Sequence, residues 1–227
     1  ISLHTRICIP AKSFKHKVFT DSQREKYLVT TVGKLKFNEI LPDTYQYLNE
    51  PSKENIENAT PDKFFIEKGT DLKEAVKNME LSKPFVKGDL SKLIAQIFKR
   101  YKTTETSVFL DKLKNLGFKF STIAGITFSL SDVMTADTKE EILDKSRKTV
   151  EQITKQYNRG LITDEERHDK VIAVWTEAKE ELTKELVKLS KEYDRNPMFM
   201  MMTSGARGSK SQLIQLSGMR GLMSKPN

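Results

Sequence analysis

Two stretches in the second half of the chain share one pattern of apolar positions. Leu143, Ser146, Val150, Ile153 and Tyr157 recur at steps of three and four, as do Val171, Trp175, Ala178, Leu182, Leu186, Leu189 and Tyr193. A helical face repeats this way because 3.6 residues complete one turn. The pattern predicts two helices within about residues 138–194, parted by Asn158-Arg-Gly-Leu-Ile-Thr-Asp-Glu-Glu166. Gly160 suits the left-handed conformation that ends a helix. Thr163 with Glu166 is a capping box for the second helix, and Thr138 with Glu141 offers one to the first. Glu141–Lys145, Asp144–Lys148, Glu151–Lys155 and Glu180–Lys184 are acid-first pairs four apart, a spacing that supports exposed helix faces. The expected result is an antiparallel helical hairpin with arms of roughly 30 and 45 Å at ~1.5 Å per residue. Its narrow seam buries too little for a compact core, so the hairpin is expected to project. Pro197 blocks continuation of the second arm.

Upstream the period changes. Leu90, Leu93, Ile94, Ile97, Phe98 and Tyr101 form one helical face that Asp89 can cap. A further helix is predicted from Thr104 to Leu116, with Phe109, Leu113 and Leu116 inward and Gly117 ending it. Phe118, Phe120, Thr122, Ala124, Ile126, Phe128 and Leu130 then alternate with mostly polar neighbours, which predicts a half-buried strand or hairpin. Tyr27–Val32 is rich in β-branched residues and reads as a strand ending near Gly33. Phe37, Ile40 and Leu41 have helical spacing up to Pro42. Residues 43–66 hold Pro51, Pro61 and several asparagines, and read as a long surface connection with short pieces of structure. The fold class is mainly α with small β elements (α+β), a helical hairpin attached to a mixed domain.

Composition narrows the chemistry. Lys+Arg number 39 against 31 Asp+Glu, giving a net charge of +8. That balance permits nucleotide or nucleic-acid contact but also describes an ordinary solvated lysine-rich surface. The single cysteine, Cys8, excludes an internal disulfide and a cysteine-based zinc site, and the three histidines lack metal-ligand spacing. No apolar run approaches the ~20 residues of a membrane span, and a cytoplasmic location is expected. The chain opens on Ile1 rather than Met, so an interior piece of a longer protein is expected. Gly205-Ala-Arg-Gly208-Ser-Lys210-Ser lacks the Gly-Lys-Ser/Thr tripeptide of a P-loop. No glycine-framed elbow serine is present. Asp164-Glu-Glu166 sits where a helix N-terminus favours negative charge, and no Asp-x-Asp-x-Asp cluster exists to hold magnesium. A complete active site is not expected in this chain. Met198, Met200, Met201 and Met202 suit either deformable core filling or a channel lining.

Three blocks then point in one direction. They are Thr30-Thr-Val-Gly-Lys…Phe-Asn-Glu-Ile-Leu-Pro42, Tyr157-Asn-Arg-Gly-Leu-Ile-Thr-Asp-Glu-Glu-Arg167 with Trp175, and Asn196-Pro…Ser-Gly-Ala-Arg-Gly-Ser…Gly-Met-Arg-Gly-Leu-Met…Lys-Pro226. In that order they resemble the largest (β′) subunit family of bacterial DNA-directed RNA polymerase. The resemblance implies a pore domain over residues 1–118 and a funnel domain over 119–203, the latter carrying the rim hairpin. It makes residues 204–227 the start of the segment leading to the bridge helix. The magnesium-binding aspartates, bridge helix, trigger loop and zinc-binding cysteines are expected elsewhere in the parent subunit, so Mg2+ and Zn2+ are not expected to be held here.

The same resemblance implies that Arg207 and Met201 face the secondary channel, by which nucleoside triphosphates enter and a backtracked RNA 3′ end leaves. It makes Arg159, Asp164, Glu165, Glu166, Asp169 and Lys170 contacts for transcript-cleavage (Gre-type) and DksA-like secondary-channel factors. Other implied partners are the rest of β′, the β, α, ω and σ subunits, and DNA through the assembled enzyme. Thr203 stands where many relatives carry Asp, Ile214 where many carry Arg, and Lys34 where Arg is common, so a charge role is not carried over to Thr203 or Ile214. The other class left open by the residues is a free-standing helical-hairpin interaction module.

Overall fold

The β-branched run at Tyr27 forms the central strand of a small antiparallel sheet. In a computed structural model that describes residues 2–80, 83–193 and 195–223, strands β1 (Arg6–Pro10), β2 (Tyr27–Thr31) and β3 (Phe65–Ile66) lie in the order β1-β2-β3. Cys8 pairs with Val29, and Tyr27 with Ile66. Ile1, the end of the predicted hairpin at Asp194 and the Lys225-Pro226 end of the last motif lie outside the described residues. The chain divides into two compact units, Ile1–Gly125 and Ile126–Asn227. The fold is mainly helical with this one small sheet among the described residues.

In the first unit, β2 runs straight into helix. The Thr31 hydroxyl accepts the Lys34 N–H and so caps α2 (Val32–Glu39). A side chain at Gly33 would meet the Leu3 carbonyl oxygen at 3.1 Å, and the Gly33 N–H donates to that oxygen at 2.8 Å. Here the missing Cβ lets the two backbones touch. Three other short helices belong to this unit: α1 (Asp21–Arg24) before β2, and α3 (Lys53–Glu57) and α4 (Leu72–Asn78) after α2.

Residues 43–66 are not a surface connection. They do contain short elements (α3, a 3₁₀ turn at Asp62–Phe64, and β3), but Tyr45, Tyr47, Leu48 and Asn49 are fully buried. Buried irregular backbone must find hydrogen-bond partners, and the asparagines that read as loop markers supply them. Asn55 Oδ1 accepts the Asn49 and Glu50 N–H groups at 2.8 and 3.0 Å, and its Nδ2 donates to Tyr47 and Ala59 carbonyls. Asn38 binds both backbone groups of Leu48. Asn49 Nδ2 donates to the Val29 carbonyl, while its Oδ1 accepts from the Thr30 hydroxyl. With the backbone satisfied, Tyr45 and Leu48 join a cluster with Leu93, Ile97 and Phe109, and Tyr47 joins another with Phe19, Leu28 and Phe64.

The two predicted helices around residue 102 form one long element, α5 (Lys87–Ala124), broken at Lys102, where φ is 63°. The expected gap therefore survives as a kink. Asp89 does not cap as N-cap; it sits one turn further in and its carboxylate accepts the Val86 N–H at 3.3 Å. Gly117 does not end the helix. Helix continues to Ala124, where Gly125 takes the left-handed conformation (φ 55°). The predicted strand at 118–130 is thus absent: its first half is helix and Leu130–Asp132 is a 3₁₀ turn. A period-two run needs a partner strand to satisfy its backbone, whereas extending an existing helix adds a bond per residue without new nucleation. Phe118 and Ile123 are left 67% exposed.

Lys17 is buried, with its ammonium donating to the Leu41 and Pro42 carbonyls, and burial pulls its pKa down to about 8. Lys34 is lowered to about 8 by the same cause. Between pH 8 and the usual 10.5 the unfolded chain then holds protons that the folded chain has released, so stability rises with pH. Above the usual 10.0, burial keeps the Tyr45 and Tyr47 phenols protonated only in the folded state, and stability falls. Urea unfolding of the chain across pH 7.5–11 is expected to show stability climbing to about pH 10 and then declining. Lys17→Met should remove roughly half of the climb.

Candidate functional site

The second unit is built on the predicted hairpin. Helices α6 (Lys139–Asn158) and α7 (Asp164–Glu192) pack antiparallel, with Ile142 of the first arm against Ala178 and Leu182 of the second. Leu143 and Trp175 pack against this cluster. So does Met219, from far along the chain. Gly160 has φ 70°, and the Thr163–Glu166 capping box closes as predicted: Glu166 N–H to the Thr163 hydroxyl at 3.2 Å, Thr163 N–H to the Glu166 carboxylate at 2.9 Å. Thr138 forms no box. Its backbone is already helical (φ −73°, ψ −4°), a geometry that turns the hydroxyl away from the first-turn N–H groups. None of the four acid-first pairs closes among the described residues; the ion pairs formed are three apart, Asp144–Arg147, Asp164–Arg167 and Glu185–Lys188.

At the tip, Arg159, Asp164, Glu165, Glu166, Asp169 and Lys170 are all exposed, within the connecting turn and the first two turns of α7. They are not equivalent. Asp164 is held by Arg167 at 2.6 Å, and Glu166 is occupied by its capping bond. Asp169 lies 3.5 Å from His168 Nδ1. The side chains of Arg159, Glu165 and Lys170 have no partner among the described residues. Sequence reasoning missed Leu161, which is 68% exposed in the turn. It also placed Tyr157 and Tyr193 in the seam, whereas both are exposed. Tyr157 lies past the last buried seam position, Ile153, and is covered instead by the Arg167 guanidinium 5.1 Å above its ring. An apolar residue inside a polar turn was the available signal for Leu161.

Beyond α7 the chain turns at Asn196, whose Oδ1 accepts the Met198 and Phe199 N–H groups and whose Nδ2 donates to the Asp132 carbonyl. This caps α8 (Pro197–Ser204), which starts on the proline that stops α7 and ends on left-handed Gly205. Phe199 is the core residue of α8; Met198, Met201 and Met202 are half-buried and Met200 is exposed. Helix α9 (Lys210–Leu213) follows, then a π-helical turn at Ile214–Gly218.

These elements enclose a cleft of about 470 Å³, lined by Phe128, the three half-buried methionines, Arg207, Gln212 and Leu216 among others. Arg207 and Met201, predicted from sequence, therefore share one wall. The Arg207 guanidinium is exposed and has no hydrogen-bond or ion-pair partner among the described residues. Phe128 was misassigned to a strand, and its place here had no sequence signal. Ile214 is buried, with its side chain 3.6 Å from the place a Gly218 side chain would take, and the Thr203 hydroxyl bonds the Phe199 carbonyl. Thr203 and Ile214, two of the three positions that depart from the resembled pattern, are thus used for helix bonding and packing. No cluster of three or more His, Cys, Asp or Glu that could hold a metal occurs among the described residues. Nor does any helix there have the length and apolarity to cross a membrane.

The family model for RNA polymerase Rpb1, domain 3, matches residues 1–133, and that for domain 4 matches residues 162–227. The chain belongs to the RNA polymerase Rpb1 family. It is 53% identical over its full length to the DNA-directed RNA polymerase subunit beta′ of Bacillus licheniformis, and 52% identical to that of Bacillus subtilis. The Geobacillus kaustophilus subunit is 51% identical, again across the whole chain. In each case the chain spans 19% of the relative's length.

The tail's placement depends on one glycine. A Cβ at Gly218 would stand 3.2 Å from Leu186 Cδ1 and 3.9 Å from Leu182 Cβ, so a β-branched residue there needs Leu186 or the turn to give way. Gly218→Val is expected to cost about 1–3 kcal/mol. Hydrogen exchange should show lost protection in residues 210–219 while α6 keeps its own.

Proposed function

We propose that this chain is a segment of a bacterial RNA polymerase β′ subunit that walls the route by which nucleotides reach the active site and presents a docking hairpin beside it. On this reading residues 1–118 form the pore domain, 119–203 the funnel domain, and 204–227 lead toward the bridge helix. The observation that carries it is the cleft: an arginine without a partner among the described residues, on an apolar methionine wall, in a chain of this family. A guanidinium forks onto phosphate oxygens with two parallel hydrogen bonds, and methionine gives an adaptable surface for bases and sugars to slide over. Arg207 would contact the triphosphate of an incoming nucleotide or the backbone of an extruded RNA 3′ end. Magnesium and the bond-forming chemistry would come from other parts of the subunit. This chain's own contribution is to orient the anion and narrow the path.

In the assembled polymerase, Arg207→Ala is expected to raise the apparent KM for nucleotides about tenfold, as loss of one charge-assisted hydrogen bond would, with DNA binding unchanged. Elongation assays over a nucleotide titration measure this; an unaltered KM removes the phosphate role.

At the tip, the exposed Leu161 in the turn, followed by exposed Glu165 and Lys170 in the first turns of α7, offers an apolar group among charges, a combination suited to protein binding. Transcript-cleavage and related channel factors are the proposed partners. Leu161→Glu should weaken factor binding at least about tenfold. Charge reversal at Glu165 alone should weaken it less, because exposed rim charges contribute little. Binding titrations of a cleavage factor decide between them, and basal elongation should be unaffected in both variants.

A further inference from the structure

The Arg207 side chain makes no hydrogen bond or ion pair among the described residues, so its own contacts do not hold it at the cleft. The backbone on either side does. Arg207 lies in the short link between α8 and α9. Upstream, the Gly205 N–H donates to the Met202 carbonyl at 3.1 Å, and the Arg207 N–H reaches the carbonyl of Met201, a residue of the same wall, at 3.4 Å. Downstream, Ser209 caps α9 through a reciprocal pair. Its hydroxyl accepts the Gln212 N–H at 3.3 Å, and its own N–H donates to the Gln212 side-chain oxygen at 2.8 Å.

Two glycines of this link are left-handed, Gly205 at φ 74° and Gly208 at φ 80°. Gly205 needs no special role, because a left-handed glycine is an ordinary helix stop. Gly208 closes no helix. It stands between Arg207 and the extended cap residue Ser209 (φ −119°, ψ 164°), and turns the chain from one to the other within a single residue. Room is not what the glycine supplies, since a Cβ at 208 would meet nothing within 4 Å. It supplies backbone freedom: a Cβ disfavours the left-handed region, and among residues that carry one asparagine tolerates it best.

We infer that Gly208 is a positioning residue for Arg207: its left-handed backbone lets the chain present Arg207 to the cleft and enter the capped turn of α9 in consecutive residues. This role rests on the phosphate contact proposed above for Arg207 and adds what aims that side chain. A residue that resists φ 80° passes the strain to its two neighbours. Ser209 is held by both bonds of its capping box, whereas Arg207 is held by one long backbone bond. Arg207 is therefore the neighbour that moves.

The test is a nucleotide titration of elongation by the assembled polymerase carrying Gly208→Ala, Gly208→Asn, Arg207→Ala, or Arg207→Ala combined with Gly208→Ala. Gly208→Ala should raise the apparent KM about fivefold and change kcat by less than about twofold. Gly208→Asn, although its side chain is larger, should rescue the KM to within about twofold of the parent. Damage through lost space would rank the two variants the other way. The double variant should match Arg207→Ala, because a residue that acts through Arg207 then has nothing left to position. The positioning role is overturned by an unaltered KM in Gly208→Ala, by equal KM rises for alanine and asparagine, or by additive effects in the double variant. An unaltered KM in Arg207→Ala removes the phosphate contact and this role with it; a raised KM there beside an unaltered one in Gly208→Ala removes the positioning role alone.

Discussion

The first unit depends on whether residues 43–60 can be buried at all. That stretch has little regular structure, and irregular backbone inside a protein costs several kcal/mol per unsatisfied group. Asn55 removes most of the difficulty from one position, with its amide accepting two N–H groups and donating to two carbonyls. Asn38 and Asn49 do the same for their neighbours, tying the loop to α2 and to β2. Only with these bonds made can Tyr45 and Tyr47 sit in separate apolar clusters from adjacent turns of chain. Such networks are worth most when complete. Neutral asparagine suits the task because it carries donor and acceptor together and brings no charge to desolvate.

The second unit relies on a different device, a seam extended by a returning tail. Two helices alone bury a narrow stripe. Here Met219 adds to the hairpin cluster, and Gly218 lets the π-helical turn close on Leu186 and Leu182. The tail thereby gains a fixed position, and so does the cleft lined from its other side. A π turn inserts one residue into a helical turn and commonly lies near functional sites. In this chain it separates buried Ile214 and Ser217 from exposed Gln215 and Leu216, so one short segment both anchors to α7 and lines the cleft. Packing at the hairpin base and the shape of the cleft are consequently one problem.

What could be read from sequence followed the strength of local signals. The hairpin was legible because two long runs at steps of three and four, a left-handed glycine and a capping box all agree. The strand at Tyr27 and the break near residue 102 were legible for similar reasons. Residues 43–66 were not, since asparagine and proline look alike in a solvated loop and in a buried one; the difference lies in partners distant in sequence. The alternation from Phe118 misled because period two needs a neighbour that a single strand cannot announce, and the helix before it had no stop signal strong enough to prevent extension. At the site, Arg207 and Met201 were identified through resemblance and share a cleft, whereas Phe128 reached that cleft only through tertiary packing. The charged tip residues were found as a group, but which carboxylates are already engaged depends on bonds three residues apart that composition does not disclose.

Charge partition sharpens what the wall is proposed to do. The chain carries a net charge of +8, yet many surface cations are satisfied locally, as Arg147, Arg167 and Lys188 are by acids three residues away. Such pairs contribute little energy, but they flatten the local field. In the cleft the opposite holds. Its lining residues include no acid, and Arg207 keeps no internal partner among the described residues. A lone guanidinium on an apolar wall retains its attraction for phosphate, whereas one already engaged with a carboxylate would have to exchange partners at little net gain. On the proposed reading, Arg207 is therefore the group in this cleft that would meet a passing triphosphate.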